Sequence, residues 1–355
     1  MTRLADVTGL DRIGVPVWQA VRPWSRALSV AQGKGLSEMQ ARISAAMEAV
    51  ECACAENWSP PPIDAAWAAL AASARTVGRD DFALYRDHGP AADAVQPWAE
   101  AVRLDGGGKV HVAFDAVSLD LTRAGERGIE RGSAGLAAHL TSDAVIRVAL
   151  HEVIERDAAA RWGAGRESLF HAPHRVALET VPGAWFGDLR ERLSAAAITL
   201  RVYALPAVIT LPVFVATLTD AADADGAHAA VYGEAAHGDP QVALRNAVLE
   251  AVQARLTLIA GARDDLPIVP AHRPMRGLAA GLGGLMPSGV RARDFASILP
   301  FGSDEDAGAV IAMVEALARA GFNQAAVVDL APPEFPVAVV KVVVPGFASA
   351  TRARR

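Results

Sequence analysis

Apolar positions recur every three or four residues through SEMQARISAAMEAVECACAENW (37–58), which predicts a helix with Ser37 as its N-cap. The same periodicity predicts helices over 62–76, 142–161, the region around GDLRERLSAAA (187–197), 239–260 and 304–320. Strand-like runs lie at 109–121 (KVHVAFDAVSLDL), 175–180 (RVALET), 199–205, 213–220, 324–331 and 337–346. DGGG at 105–108 marks a turn, and the Gly-rich segment 276–294 reads as a mobile loop. The longest apolar run, LPAVITLPVFVATL (205–218), is short and carries two prolines, so it is expected to be buried strand and not a membrane span. Helices and strands interleave without a strict βαβ repeat, and no internal repeat or low-complexity linker divides them. The expectation is an α+β fold, a mixed helix and sheet arrangement, forming a single domain over 1–355.

Composition changes this picture little. Hydrophobic residues make up 52% and charged residues 21% of the chain, the balance of an ordinary globular protein. A formal net charge of -6 argues against a generic electrostatic grip on nucleic acid. The basic tail TRARR (351–355) is short and reads as a frayed terminus. The first residues, MTRLADVTGLDRIG, lack the apolar stretch of a signal peptide, and the expected location is cytoplasmic. The two cysteines, Cys52 and Cys54, sit two apart on a predicted helix and point to different sides. A shared metal or a disulfide is therefore not expected of them.

The candidate chemistry lies in acids placed on apolar helices. Ser44, Glu48 and Glu51 fall on the first helix, Glu152 and Glu155 on the one containing ALHEVIERDA (149–158), and Glu250 with Gln253 on the helix after Asp239. Spacings of three or four put each set on one helical face. One such pair alone is most simply a solvated face. All three sets, however, have small apolar neighbours. If the faces converge, their carboxylates need cations, and clustered hard oxygen ligands suit Mg²⁺ carrying a nucleotide's phosphates. HEVIE (151–155) has Glu155 where a zinc-protease motif needs its second His, so zinc is not supported. QGKGLS (32–37) lacks the earlier glycine of a phosphate loop and follows no clear strand in the pattern. No Ser-His-Asp triad can be picked from the nine histidines.

Four segments carry a family resemblance. They are residues 7–51, with GKG followed by S-x-x-x-E-x-x-E; EVIERDA within 149–158; EAVQARLTLIAGARDD (250–265); and VVKVVVPGF (339–347). In this order they resemble a YcaO-domain protein over nearly the whole chain, and among these the branch that works with TfuA partners. The resemblance implies a YcaO-type fold with a non-P-loop ATP site between helices. It also implies ATP-dependent activation of a peptide backbone amide: the amide oxygen attacks the γ-phosphate, and phosphate leaves as a nucleophile adds at the amide carbon. A Cys, Ser or Thr side chain as nucleophile gives an azoline; a sulfur donor, with TfuA, gives a thioamide. By motif position, Glu48, Glu51, Glu152 and Glu155 would hold Mg²⁺, Ser44 and Arg156 would contact nucleotide, and Glu250 would lie at its adenosine or ribose end. For Arg156 the plainer alternative is an ion pair with an acid such as Glu152, and for Ser44 a hydroxyl bonded back to its own helix. Lys34 of GKG stands between a loop contact and a phosphate or substrate contact. The implied partners are a precursor peptide in the biosynthesis of ribosomally made, modified peptides, and a TfuA-type protein; family members are often dimers.

The chain also departs from the family pattern. An expected Asn falls on Leu140, an expected acid on Ala144 and an expected Arg on Asn246, while Asp143 and Arg245 are each displaced by one residue. One residue along a helix turns a side chain by about 100°, so neither neighbour substitutes well. Most relatives also have an upstream segment before DRIG (11–14), so the chain reads as truncated at its N-terminus. Each charge-assisted contact is worth roughly 1.5–3 kcal/mol. The losses therefore keep a second reading open, a non-catalytic homologue that binds precursor peptide or supports a partner subunit.

Overall fold

The computed structural model describes residues 1–58, 60, 62–73, 76, 91–124, 129, 131–164, 174–220, 230–262 and 292–348. Among these residues are six α-helices and three sheets of twelve strands, the mixed helix and sheet architecture expected. The chain divides into two compact units, each assembled from separated stretches.

The first unit comprises 1–23, 28–49 and 165–301. Strands β1 (Arg3–Asp6), β2 (Val17–Val21) and β3 (Val30–Lys34) form an antiparallel sheet in that order. Strands β8 (Ile198–Leu205), β9 (Val213–Asp220) and β10 (Ala230–Ala236) form a second antiparallel sheet with β9 in the middle. Helix α4 (Ala184–Ala195) and helix α5 (Pro240–Ala260) pack on it, and their buried Leu189, Leu193, Leu244, Val248 and Leu256 join Phe214 and Leu218 of β9 in the main core. Helix α5 is well bounded: the Asp239 side chain accepts from the Gln241 N–H, Pro240 occupies the first turn, and Gly261 ends it at φ 56°.

The second unit comprises 24–27, 50–164 and 302–355. Its sheet runs β4 (Ile63–Ala66), β5 (Val95–Arg103), β11 (Ala326–Asp329), β12 (Ala338–Val343) and β7 (Leu136–His139), with β6 (Lys109–Ala113) also on β5. Every one of these pairings is antiparallel. Helices α2 (Trp67–Ala71), α3 (Ser142–Ala164) and α6 (Asp306–Arg319) belong to this unit, and the Arg147–Asp306 ion pair at 2.7 Å ties α3 to α6. Helix α1 (Glu38–Asn57) contributes its first part to one unit and the rest to the other. Its start is a reciprocal cap: Ser37 Oγ accepts from the Gln40 N–H at 3.3 Å, and Gln40 Oε1 accepts from the Leu36 and Ser37 N–H groups.

Several expectations are corrected. The helix predicted over 62–76 is instead β4 followed by the short α2, because pairing of Ile63–Ala66 with Val95–Trp98 overrides alanine's helical preference. Only 109–113 of the predicted strand 109–121 is strand; Phe114–Ala116 turns as a 3₁₀ helix. RVALET makes isolated bridges at Arg175 and Val176 and then a 3₁₀ turn, stabilised as Thr180 Oγ1 donates to the Ala177 carbonyl at 2.7 Å. QGKGLS does adjoin a strand, since its Gln32, Gly33 and Lys34 are the end of β3. The sheet of β1, β2 and β3 was not foreseen, nor were β5, β7 and β10. Most of the Gly-rich loop expected at 276–294, residues 276–291, lies outside the described residues. No described helix is long and apolar enough to cross a membrane. Cys52 and Cys54 are not joined in a disulfide.

Candidate functional site

Among the described residues strand β7 is the last strand of its sheet, and its backbone and the turn just before it are where two helices deliver acid. Glu51 of α1 accepts the Ala138 N–H at 2.9 Å, and Glu152 of α3 accepts the Gly135 N–H at 3.2 Å. Three residues of chain span at most about 10 Å, so carboxylates 101 residues apart in sequence are brought to one short segment. Neither acid is splayed into bulk solvent. Glu155, one turn along α3 from Glu152, is buried. Arg156 lies beside both, its Nε 3.6 Å from Glu155 and 3.9 Å from Glu152. The ion-pair alternative for Arg156 is thus realised in this structure.

Local sequence explains this placement. Gly135 has φ +80°, and a Cβ there would come within 2.2 Å of the Val342 carbonyl oxygen and 2.7 Å of Val153. Only glycine lets the chain turn into β7 this close to β12 and α3. Next along α3, Asp157 is fully buried, accepting from Arg161 and from the Ala348 N–H at 2.7 Å. The EVIERDA segment therefore carries one acid, Glu152, that bonds the turn into β7 and another, Asp157, that anchors Ala348 near the end of the described residues.

In the first unit, Lys34 at the end of β3 donates to Glu250 of α5 at 3.1 Å, both side chains about a quarter exposed. Ser44 and Glu48 are half-buried on α1, four residues apart. Gln253 lies behind Glu250 on α5, and its carbonyl accepts from the Thr257 hydroxyl at 2.8 Å. Among the positions that depart from the family pattern, Leu140 is 76% exposed just after β7, Ala144 is completely buried in α3, and Asn246 is half-buried. Asp143 is exposed and Arg245 half-buried.

Among the described residues, no three His, Cys, Asp or Glu side chains stand together as a preformed metal cluster. The site acids instead bond backbone amides and Arg156. Their donor chemistry, hard oxygens only, suits Mg²⁺ and not zinc.

One buried network was missed by sequence reasoning. Arg255 of α5 lies 3.0 Å from Asp11 and 3.0 Å from Asp220, and Arg12 reaches Asp220 at 2.7 Å, so two arginines offset two almost completely buried aspartates. The signal available was DRIG and EAVQAR together, but no spacing rule joins residues 244 apart.

The profile of the family described as YcaO cyclodehydratase, ATP- and Mg²⁺-binding, matches residues 32–348. The chain belongs to the YcaO family. It is 33% identical over 371 residues to an uncharacterized protein in the tfuA 3′ region of Rhizobium leguminosarum bv. trifolii, covering 98% of this chain and 83% of that protein. Among solved structures it resembles a heterocyclase in complex with substrate and cofactor (TM-score 0.81, 21% identity, 98% of this chain). The chain spans half the length of that heterocyclase. It also resembles YcaO from Methanopyrus kandleri bound with AMPPCP and Mg²⁺ (TM-score 0.72, 24% identity, 99% of this chain and 86% of that one). These two likenesses establish the YcaO fold.

Proposed function

We propose that this YcaO protein is an ATP- and Mg²⁺-dependent enzyme that activates a backbone amide of a ribosomally made peptide. The observation that carries this reading is that Glu51 and Glu152 bond backbone amides only three residues apart, those of Ala138 in β7 and Gly135 just before it, with Glu155 and Arg156 beside Glu152. Carboxylate oxygens are the donors that a hard divalent ion takes, and Mg²⁺ when bound would supply neutralisation of phosphate charge. Carried over by motif position, Glu48, Glu51, Glu152 and Glu155 are the groups that would hold it. Ser44, Lys34, Glu250 and Arg156 carry over by motif position as nucleotide contacts, Arg156 exchanging its carboxylate partners for phosphate. Arginine suits that exchange, because its planar fork matches either anion.

In the reaction proposed, the amide oxygen attacks the γ-phosphorus of ATP and ADP leaves. A nucleophile then adds at the amide carbon, and phosphate departs with the former amide oxygen. With a sulfide-level sulfur donor and a TfuA-type partner the product is a thioamide; with a neighbouring Cys, Ser or Thr it is an azoline. The thioamide branch is favoured by the relative from a tfuA 3′ region. The chain's own contribution is to orient the nucleotide and the amide and to hold charge in place.

Titration calorimetry with Mg-ATP tests the reading, followed by mass spectrometry of a peptide co-expressed with the protein. Submillimolar binding and a mass change of oxygen replaced by sulfur support thioamide formation; loss of one water supports the azoline. A second reading, a non-catalytic homologue that binds peptide or supports a partner subunit, is favoured by Leu140 and Ala144. The first is an apolar side chain exposed beside the site, and the second leaves no carboxylate at a buried position. Absence of Mg-ATP binding below millimolar concentration, with peptide binding retained, selects this second reading.

A further inference from the structure

We propose that the backbone of the segment 132–138 is the positioning element of the metal site: the N–H groups of Gly135 and Ala138 set the separation of Glu152 and Glu51. This rests on the reading above, in which these acids hold Mg²⁺. Groups that orient metal ligands from behind control metal affinity, commonly by 10–100-fold. Here the donors belong to main chain, so the spacing of the carboxylates is fixed by strand geometry and not by side-chain rotamers.

Three observations support the assignment. First, Ala138 stands opposite Val339 in the β7–β12 register, yet its N–H goes to Glu51 at 2.9 Å. An N–H has one direction, so this one faces away from β12 and is free of the ladder. Second, Gly135 divides its two polar groups: the carbonyl accepts from the Val342 N–H at 2.8 Å, while its N–H meets Glu152. The φ of +80° and the absent Cβ make that division feasible. Third, Lys341 on β12 is only 4% exposed and donates its ammonium to the Gly132 carbonyl, pinning the segment's start. A lysine so deeply buried is rare unless it is held by partners, and here one partner is the loop that presents the two amides.

Ala138→Pro removes the N–H donated to Glu51 without removing a ladder bond, because proline is tolerated where a strand's N–H faces away from its partner. Ala138→Gly keeps the N–H and serves as control. Lys341→Met keeps volume and loses the contact to Gly132. The measurement, on the full chain, is calorimetric binding of ATP across a Mg²⁺ series and in EDTA, with melting temperature alongside. The expected result is a tenfold or greater rise in the Mg²⁺ concentration at half-saturation for Ala138→Pro and a smaller rise for Lys341→Met. Ala138→Gly and metal-free ATP binding should match the wild type. Ala138→Pro binding Mg-ATP as the wild type does would overturn the inference, and so would an equal loss in EDTA. Where the proline variant does not fold, hydrogen exchange of the wild-type Gly135 and Ala138 amides decides: protection retained on adding Mg-ATP supports the proposal, and faster exchange overturns it. A wild-type chain that shows no Mg²⁺-dependent ATP binding removes the functional reading itself, and this inference with it.

Discussion

At the scale of single residues, the acids at positions 51 and 152 are distinguished by what they accept. A carboxylate can bond a backbone N–H through one oxygen and still present the other to a cation. Glu152→Gln keeps an oxygen acceptor for the Gly135 N–H and loses the charge, so the fold should persist. Calorimetry should then show Mg-ATP affinity falling about tenfold or more, one lost charge-assisted contact being worth roughly 1.5–3 kcal/mol. Leu140→Asn is the opposite experiment. The side chain is largely exposed, so stability should stay within about 0.5 kcal/mol. If the site takes nucleotide as proposed, the new amide should tighten Mg-ATP by about tenfold, the worth of one good hydrogen bond. Spacing alone made Ser44, Glu48, Glu51, Glu152, Glu155 and Glu250 legible as candidates. It could not show that Lys34 pairs with Glu250, because the two are 216 residues apart in the chain.

Among the elements, two glycines set how closely helices approach sheets in the first unit. A Cβ on Gly33 of β3 would lie 2.0 Å from the Ala45 backbone nitrogen of α1, and one on Gly233 of β10 would lie 2.2 Å from that of Ala251 of α5. Backbone cannot yield as a flexible side chain does. Gly33→Ala and Gly233→Ala should each therefore cost at least about 1–3 kcal/mol, read as a lower denaturant midpoint. The small residues Ala41, Ala45, Ala247 and Ala251 are the other half of these contacts. Alanine-rich helices that looked merely helical in sequence are thus selected for close packing. Arg255→Met should cost more, about 3–5 kcal/mol, since it leaves Asp11 buried without its guanidinium.

For the whole molecule, the threading of the chain matters most. Strands β11 and β12, from the end of the chain, sit between β5 and β7 in the second unit's sheet. A chain ended at Phe301 loses the middle of that sheet, and with it the ladder that supports β7. Circular dichroism and thermal melting should show the 50–164 region unable to fold cooperatively. Acid sensitivity has a definite sign. Burial raises the Asp120 pKa, but hydrogen bonds from the Thr122 hydroxyl and N–H, and Arg26, outweigh it and hold the pKa below the usual 3.8. A group lowered in the folded state stabilises above its unfolded value and loses that contribution as pH falls through the folded one. Asp120→Asn should therefore destabilise the protein at neutral pH, with the difference from wild type shrinking as pH drops below 3.8. Urea midpoints at a series of pH values measure this.

The pattern of apolar and acidic positions determined the long helices α1, α3 and α5, the Ser37 cap of α1, and the acidic faces they carry, because helix periodicity and capping are local properties of consecutive residues. It likewise determined β8, β9 and β12 closely. Tertiary structure decided the rest. Residues 63–66 became a strand because β5 was there to pair with, and the N-terminal sheet took its strands from stretches whose alternation is weak. Above all, tertiary structure decided that amides of a four-residue edge strand and its preceding turn would receive two distant glutamates. Backbone donors have no side chain to mark them in a sequence, and which N–H groups remain free is settled only when the strands have paired.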